Sequence, residues 1–85
     1  MSRKKKLKNR FLSLPSDFTF DELVTLFGYF GYRLNNKGKT SGSRVSFVNG
    51  LETYYTHRPH PGNVVKKAAL IDVYEYLVSM KIWEI

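Results

Sequence analysis

The middle of this chain carries a β-hairpin signal, the dipeptide Asn49-Gly50. It separates two short segments of strand-like composition, Arg44–Val48 and Leu51–Thr56. Asn-Gly between two such segments is the strongest short-range signal of a hairpin with a two-residue type I′ turn, because both residues tolerate a positive φ. A turn centred on this dipeptide places Val45 opposite Tyr54. The chain is therefore predicted to contain an antiparallel sheet built on this hairpin.

The hairpin predicts two chemically different sheet faces, since successive side chains of a strand point to opposite sides. One face carries Val45, Phe47 and Tyr54, and the other carries Arg44, Ser46, Thr53, Tyr55 and His57. The same turn pairs Arg44 with Tyr55. We expect helices to cover the first face, because covering the second would bury the guanidinium of Arg44. The second face should therefore be open to solvent.

Helical periodicity accounts for the segments on either side of the sheet. A capping box of Thr19 and Glu22 opens a helix over about residues 20–30, which Gly31 should end. A last helix is predicted over about residues 66–80, a short helix from the basic N-terminus should close at Pro15, and residues 32–36 alternate as a first strand. The predicted fold class is α+β, a three-stranded antiparallel sheet with helices on one face in the order α-α-β-β-β-α.

The net charge of +7 is concentrated at the N-terminus. Six of the 14 Lys and Arg residues lie within residues 1–10, so residues 11–85 carry only about +1. We expect residues 1–10 to be a basic arm or the start of a short helix, and residues 11–85 to form a single domain. Such an arm is either solvated or bound to phosphate.

Composition excludes several functional classes. The chain has no cysteine, so it has no disulfide, thiolate metal site or cysteine nucleophile. No apolar stretch approaches the ~20 residues of a membrane span, and none follows the basic N-terminus as a signal peptide requires. We therefore expect a cytoplasmic protein with no membrane association.

The segment His57-Arg58-Pro59-His60-Pro61 is the sharpest chemical feature. Two prolines hold it near polyproline II, where three residues make one turn, so both imidazoles should project from the same side. RNA cleavage by the adjacent 2′-hydroxyl needs a base, an acid and a cation, and His60, His57 and Arg44 are candidates for these roles. The alternative is a pair of surface histidines in a loop. A zinc site would lack a third strong ligand, so no metal is predicted.

Phosphate contacts are predicted at two further places. Lys37, Lys39 and Ser43 lie in a polar, glycine-rich loop that offers ammonium and backbone N–H groups, or is merely a flexible connection. Lys66 and Lys67 stand at a helix N-terminus, where positive charge opposes the macrodipole and favours a bound anion, either RNA phosphate or an acidic partner. Tyr55 is a candidate for stacking on a base.

Three sequence runs resemble the HicA toxins of bacterial type II toxin–antitoxin systems. They are G-S-R-V-S-F at Gly42–Phe47, H-R-P-H-P-G-N at His57–Asn63 and the Lys-rich entry into the last helix. The resemblance covers about residues 20–80 and implies a double-stranded-RNA-binding-domain-like fold. It also implies a small ribonuclease that cuts mRNA without needing the ribosome and is neutralised by a HicB-like antitoxin. No cofactor is predicted. In such toxins a histidine commonly follows the Gly-Ser, and here that position is Arg44.

These observations lead to one main functional hypothesis and two alternatives. The main hypothesis is an mRNA interferase in which His60 and His57 transfer protons and Arg44 and Lys39 stabilise the phosphate. One alternative is a non-catalytic RNA-binding module that uses the basic tail, Lys66 and Lys67. The other is an inactive relative that acts only through protein partners, with Trp83 in the docking surface. The resemblance leaves open a homo-oligomer or a toxin–antitoxin hetero-oligomer.

Overall fold

A computed structural model describes residues 3–35, 44–59 and 62–83. The elements are α1 (Arg3–Leu12), α2 (Phe20–Tyr29), β1 (Arg33–Asn35), β2 (Arg44–Asn49), β3 (Glu52–His57) and α3 (Lys67–Ser79). The strands form one antiparallel sheet in the order β1-β2-β3. The α+β fold class and the predicted order of elements are confirmed. No helix in these described ranges is long and apolar enough to cross a membrane.

The hairpin turn lies one residue later than predicted. Asn49 pairs with Glu52, so the two turn residues are Gly50 and Leu51. Gly50 has a φ of 61° whereas Leu51 has a negative φ, which is the pattern of a type II′ turn rather than type I′. The predicted pairing of Val45 with Tyr54 and of Arg44 with Tyr55 is therefore wrong.

Aromatic packing gives a physical reason for the observed register. Phe47 lies opposite Tyr54, and the ring of Phe27 stacks on both, with centroid distances of 4.1 Å and 5.7 Å. The partner strand has moved by two residues relative to the prediction, and a shift of two keeps every side chain on its face. The predicted assignment of faces therefore holds, and Val45, Phe47 and Tyr54 are buried.

The termini of α2 follow the predicted capping chemistry. The Thr19 hydroxyl accepts from the Glu22 backbone N–H at 3.1 Å, and a Glu22 carboxylate oxygen accepts from the Thr19 N–H at 2.9 Å. At the other end Gly31 adopts a φ of 90°, and the Tyr32 N–H returns to the Phe27 carbonyl. This C-terminal cap turns the chain directly into β1.

The basic N-terminus forms part of the packed structure. Phe11 of α1 is fully buried against Phe18 and Trp83. The Lys8 ammonium lies 5.0 Å from the ring centroid of Trp83, and Lys4 lies over Phe30. Cations are favourable near helix C-terminal ends, and Phe30 caps α2 while Trp83 follows α3. Residues 3–10 are thus part of helix α1.

Trp83 is in the core rather than on a docking surface. It is 6% exposed and contacts Phe11, Phe30 and Tyr74. The hypothesis that Trp83 docks a protein partner is therefore wrong. The remaining members of the buried cluster are Phe18, Phe20, Leu23, Leu26, Phe27, Tyr32, Val45, Phe47, Tyr54, Val65, Leu70, Val73 and Leu77.

Candidate nucleic-acid interface

The sheet face turned away from the core consists of three cross-strand rows. Strand register and alternation place Arg33, Val48 and Thr53 in one row, Asn35, Ser46 and Tyr55 in the next, and Arg44 with His57 in the last. Consecutive rows are roughly 7 Å apart, two residues of strand rise. We refer to these eight residues as the open face.

Arg44 and His57 lie directly opposite each other at one end of the hairpin. Both side chains are exposed. Directly opposed residues of an antiparallel pair have Cβ atoms about 4.5–5.5 Å apart, so a guanidinium and an imidazole can reach one phosphate group. The corrected register thus brings these two predicted site residues closer together than the predicted pairing of Arg44 with Tyr55.

The residue after His57 contacts the helical side of the sheet. The Arg58 guanidinium lies 5.0 Å from the ring centroid of Phe20, on the helical side of the sheet. Because consecutive side chains of a strand alternate, this contact agrees with the placement of His57 on the open face by the register of β3. By residue type alone Arg58 would count as a phosphate ligand, but its guanidinium lies against an aromatic ring of the helical layer.

The chain after β3 returns to the same helix entrance. Phe20 donates its backbone N–H to the Asn63 carbonyl at 2.7 Å, and Val65 donates to the Phe18 carbonyl at 2.7 Å. Both sides of the proline segment are thus attached to the start of α2. The prediction for His60 lies outside the described residues, as do those for Lys37, Lys39 and Ser43.

Tyr55 and Ser46 differ in exposure although they share a row. Tyr55 is 72% exposed, whereas Ser46 is 9% exposed and lies on the central strand between two neighbours. The expectation that Ser46 is presented to solvent is therefore wrong. Its hydroxyl is 3.5 Å from the Asn35 carbonyl. The accessible groups of this row are consequently the Tyr55 ring and the exposed Asn35 residue.

The open face carries positive charge but no acidic residue. Arg33 and Arg44 lie on the open face, and none of its eight residues is acidic. Glu52 belongs to the core-facing set and accepts from the Tyr32 hydroxyl at 3.0 Å. The carboxylates of Glu22 and Asp17 bind Arg10 at 2.7 Å and 3.0 Å. The open face thus has a net positive charge, which favours the approach of anions.

A second cluster of ionisable groups has a structural role. The Tyr54 hydroxyl donates to the carboxylate of Asp72 on α3, and the Tyr32 and Tyr76 hydroxyls are 3.0 Å apart. Burial, together with these hydrogen bonds, raises the pKa of Tyr54 and of Tyr32. These neutral phenols attach α3 to the sheet, and they lie on the side opposite His57.

Lys66 and Lys67 are exposed at the start of α3. Lys66 is the N-cap residue and makes no side-chain capping bond, and the first turn contains no acidic residue. The helix N-terminus therefore presents backbone N–H groups together with two ammonium groups. These lysines lie on a helix rather than on the open face, so they form a separate cationic position.

Sequence reasoning missed Arg33 and Asn35. The alternation that predicted a first strand over residues 32–36 could have found them, because it sends Arg33 and Asn35 to the face opposite Tyr32 and Leu34. They also line a groove of about 570 Å³ with Asn49 and Gly50. Among the described residues, no group of three His, Cys, Asp or Glu side chains is arranged to hold a metal ion.

The fold and the open face define a class of small α+β domain with one helical side and one exposed cationic sheet side. Comparison with protein-family models, curated proteins and solved structures finds no match for this chain.

Proposed function

We propose that the chain is a HicA-like endoribonuclease that binds RNA on the open face. The observation that supports this most strongly is the direct pairing of Arg44 with His57 on an exposed surface without acidic residues. An imidazole transfers protons near neutral pH, and a guanidinium stabilises developing negative charge on phosphate. The two groups provide complementary parts of one reaction.

The proposed reaction is attack of a ribose 2′-oxygen on the adjacent phosphorus. One imidazole removes the 2′-hydroxyl proton, and a protonated imidazole gives a proton to the departing 5′-oxygen. The products are a 2′,3′-cyclic phosphate and a 5′-hydroxyl. His57 supplies one of these groups and His60, three residues later in the sequence, supplies the other. Arg44 binds the non-bridging oxygens as negative charge develops on them.

Cleavage of a labelled RNA in the presence of EDTA tests this proposal. We expect His57→Ala to lower the cleavage rate by about 10²–10⁴-fold, the usual contribution of a proton-transfer group. Arg44→Lys should retain part of the activity that Arg44→Ala loses, because it keeps the charge without the bidentate geometry. Leu51→Ala is the matched control, since Leu51 is fully exposed in the turn. Cleavage by His57→Ala at the wild-type rate would refute the assigned role.

The non-catalytic RNA-binding module remains the second candidate because of the cationic N-terminus of α3. If the wild-type protein binds RNA tightly without cutting it, this candidate is favoured. Arg44→His then becomes informative, because it introduces the residue that the HicA resemblance expects after Gly-Ser. Cleavage gained by that variant would place the missing step at position 44.

The HicA resemblance also suggests a HicB-like antitoxin as partner. We propose that it inhibits by covering Arg44 and the histidine segment, and that its acidic groups contact Lys66 or Lys67. Binding of such an antitoxin should therefore weaken when these lysines are changed to Glu. A complex in which the Arg44 surface stays accessible to solvent would contradict this.

A further inference from the structure

Tyr55 is a large aromatic side chain held in an exposed position on a rigid element. It is 72% exposed, although every Phe and Trp in the described residues is buried or partly buried. It lies on β3, two residues before His57, so its row is next to the Arg44–His57 row. A planar ring roughly 7 Å from the proposed reaction centre is within one nucleotide of the cleaved bond.

The surroundings of Tyr55 are suited to a nucleotide chain. Arg44 lies in the row on one side, and Arg33 lies in the row on the other side, about 13–14 Å from Arg44 along the strands. Two cations therefore flank the aromatic row, and Asn35 in that row carries a carboxamide, which can read a base edge. Alternation of cation, ring and cation is the arrangement that binds successive phosphates around a stacked base.

We infer that Tyr55 stacks on an unpaired base next to the cleaved bond. This contact determines which phosphodiester bonds of an RNA the protein cleaves. This inference rests on the proposed function of the open face. A base within a duplex is covered by its neighbours on both sides, so its face cannot reach Tyr55 unless the base is unstacked. The open face consequently selects single-stranded RNA, whereas duplex RNA meets only the two arginines.

The experiment compares Tyr55→Ala and Tyr55→Phe with wild type, using one short labelled RNA as a single strand and as a duplex. For the binding measurements all three proteins also carry His57→Ala, which slows cleavage and keeps the RNA intact. Tyr55→Ala removes the ring on which one base stacks, and this should weaken single-strand binding by about 5- to 150-fold. Tyr55→Phe should bind like wild type because the ring is kept, and duplex binding should change little in either variant.

Salt dependence separates stacking from phosphate contact. The logarithm of affinity for single strands falls with the logarithm of salt concentration by about 0.7 per phosphate contact. Tyr55→Ala should leave this slope unchanged, whereas Arg33→Ala should reduce it by about 0.7. In the active background, Tyr55→Ala should also redistribute the cleavage sites on a long RNA.

The outcomes distinguish this inference from the proposed function. If His57 is required for cleavage but Tyr55→Ala binds and cuts single strands like wild type, the stacking role is refuted and the ribonuclease stands. Equal loss of binding in Tyr55→Phe and Tyr55→Ala would also refute stacking, since the hydroxyl rather than the ring would matter. If wild type neither binds nor cuts RNA, both proposals fail.

Discussion

Replacing Phe11 by Ala tests whether the basic N-terminal segment belongs to the domain. Phe11 has no exposed surface and contacts Phe18 and Trp83 at ring-centroid distances of 5.7 Å and 5.5 Å. Truncating such a fully buried ring destabilises a protein by about 3–5 kcal/mol, through lost transfer energy and the cavity left behind. For a domain of this size each kcal/mol lowers Tm by about 4–8 °C. We therefore expect Tm to fall by about 12–40 °C.

Thermal and urea unfolding followed by circular dichroism measure this effect. Leu12→Ala is the matched control, because Leu12 is the next residue of the same helix and is 47% exposed. Leu12→Ala should lower the free energy of unfolding by much less than Phe11→Ala does. A loss at Phe11 below about 1 kcal/mol would refute the packing of α1, and the basic segment would then be a separable arm. The expected loss also means that deleting α1 should unfold the domain, so such a deletion does not test whether its lysines contact RNA.

Two further predictions concern charge. The hydrogen bond from Arg10 lowers the pKa of Glu22 below its ordinary value of 4.5, so the stability from this ionised carboxylate is present above about pH 4.5 and is lost as pH falls through the lowered pKa. Acid titration of the unfolding free energy should show a steeper loss in wild type than in Glu22→Gln, and equal slopes would contradict the assignment. Lys67→Glu should stabilise α3 by about 0.3–1 kcal/mol through the helix dipole while weakening RNA binding, and a gain in stability without loss of affinity would show that Lys67 does not contact RNA.

The faces of the sheet could be predicted from the sequence, whereas the register could not. Alternation alone separates Arg44 and His57 from Val45 and Phe47, and that separation survives a slip of two residues. The register depends on which aromatic rings meet across the strands. Asn49-Gly50 is a strong local signal, yet packing of Phe27 on Phe47 and Tyr54 accompanies a turn one residue further along. Tertiary contacts of this kind are not visible in local sequence.

The roles of individual cations also could not be predicted from the sequence. Arg10, Lys8 and Arg58 belong to the basic residues that a charge count assigns to nucleic acid. In the structure Arg10 binds Glu22 and Asp17, Lys8 lies over Trp83, and Arg58 lies over Phe20. Their partners are distant in sequence, so only the fold shows that these charges are used within the protein.

This redistribution of charge strengthens the case for the open face. Most of the net positive charge lies on α1, where some cations pair with carboxylates or aromatic rings, and the core separates α1 from the open face. Arg33 and Arg44 are only two cations, but none of the eight residues of the open face is acidic. A cation without a carboxylate partner attracts phosphate more strongly than one that already has such a partner. The proposed binding of RNA therefore depends on where cations lie away from carboxylates rather than on the total charge of +7. The position that combines such a cation with an imidazole is the Arg44–His57 pair, next to the Tyr55 ring.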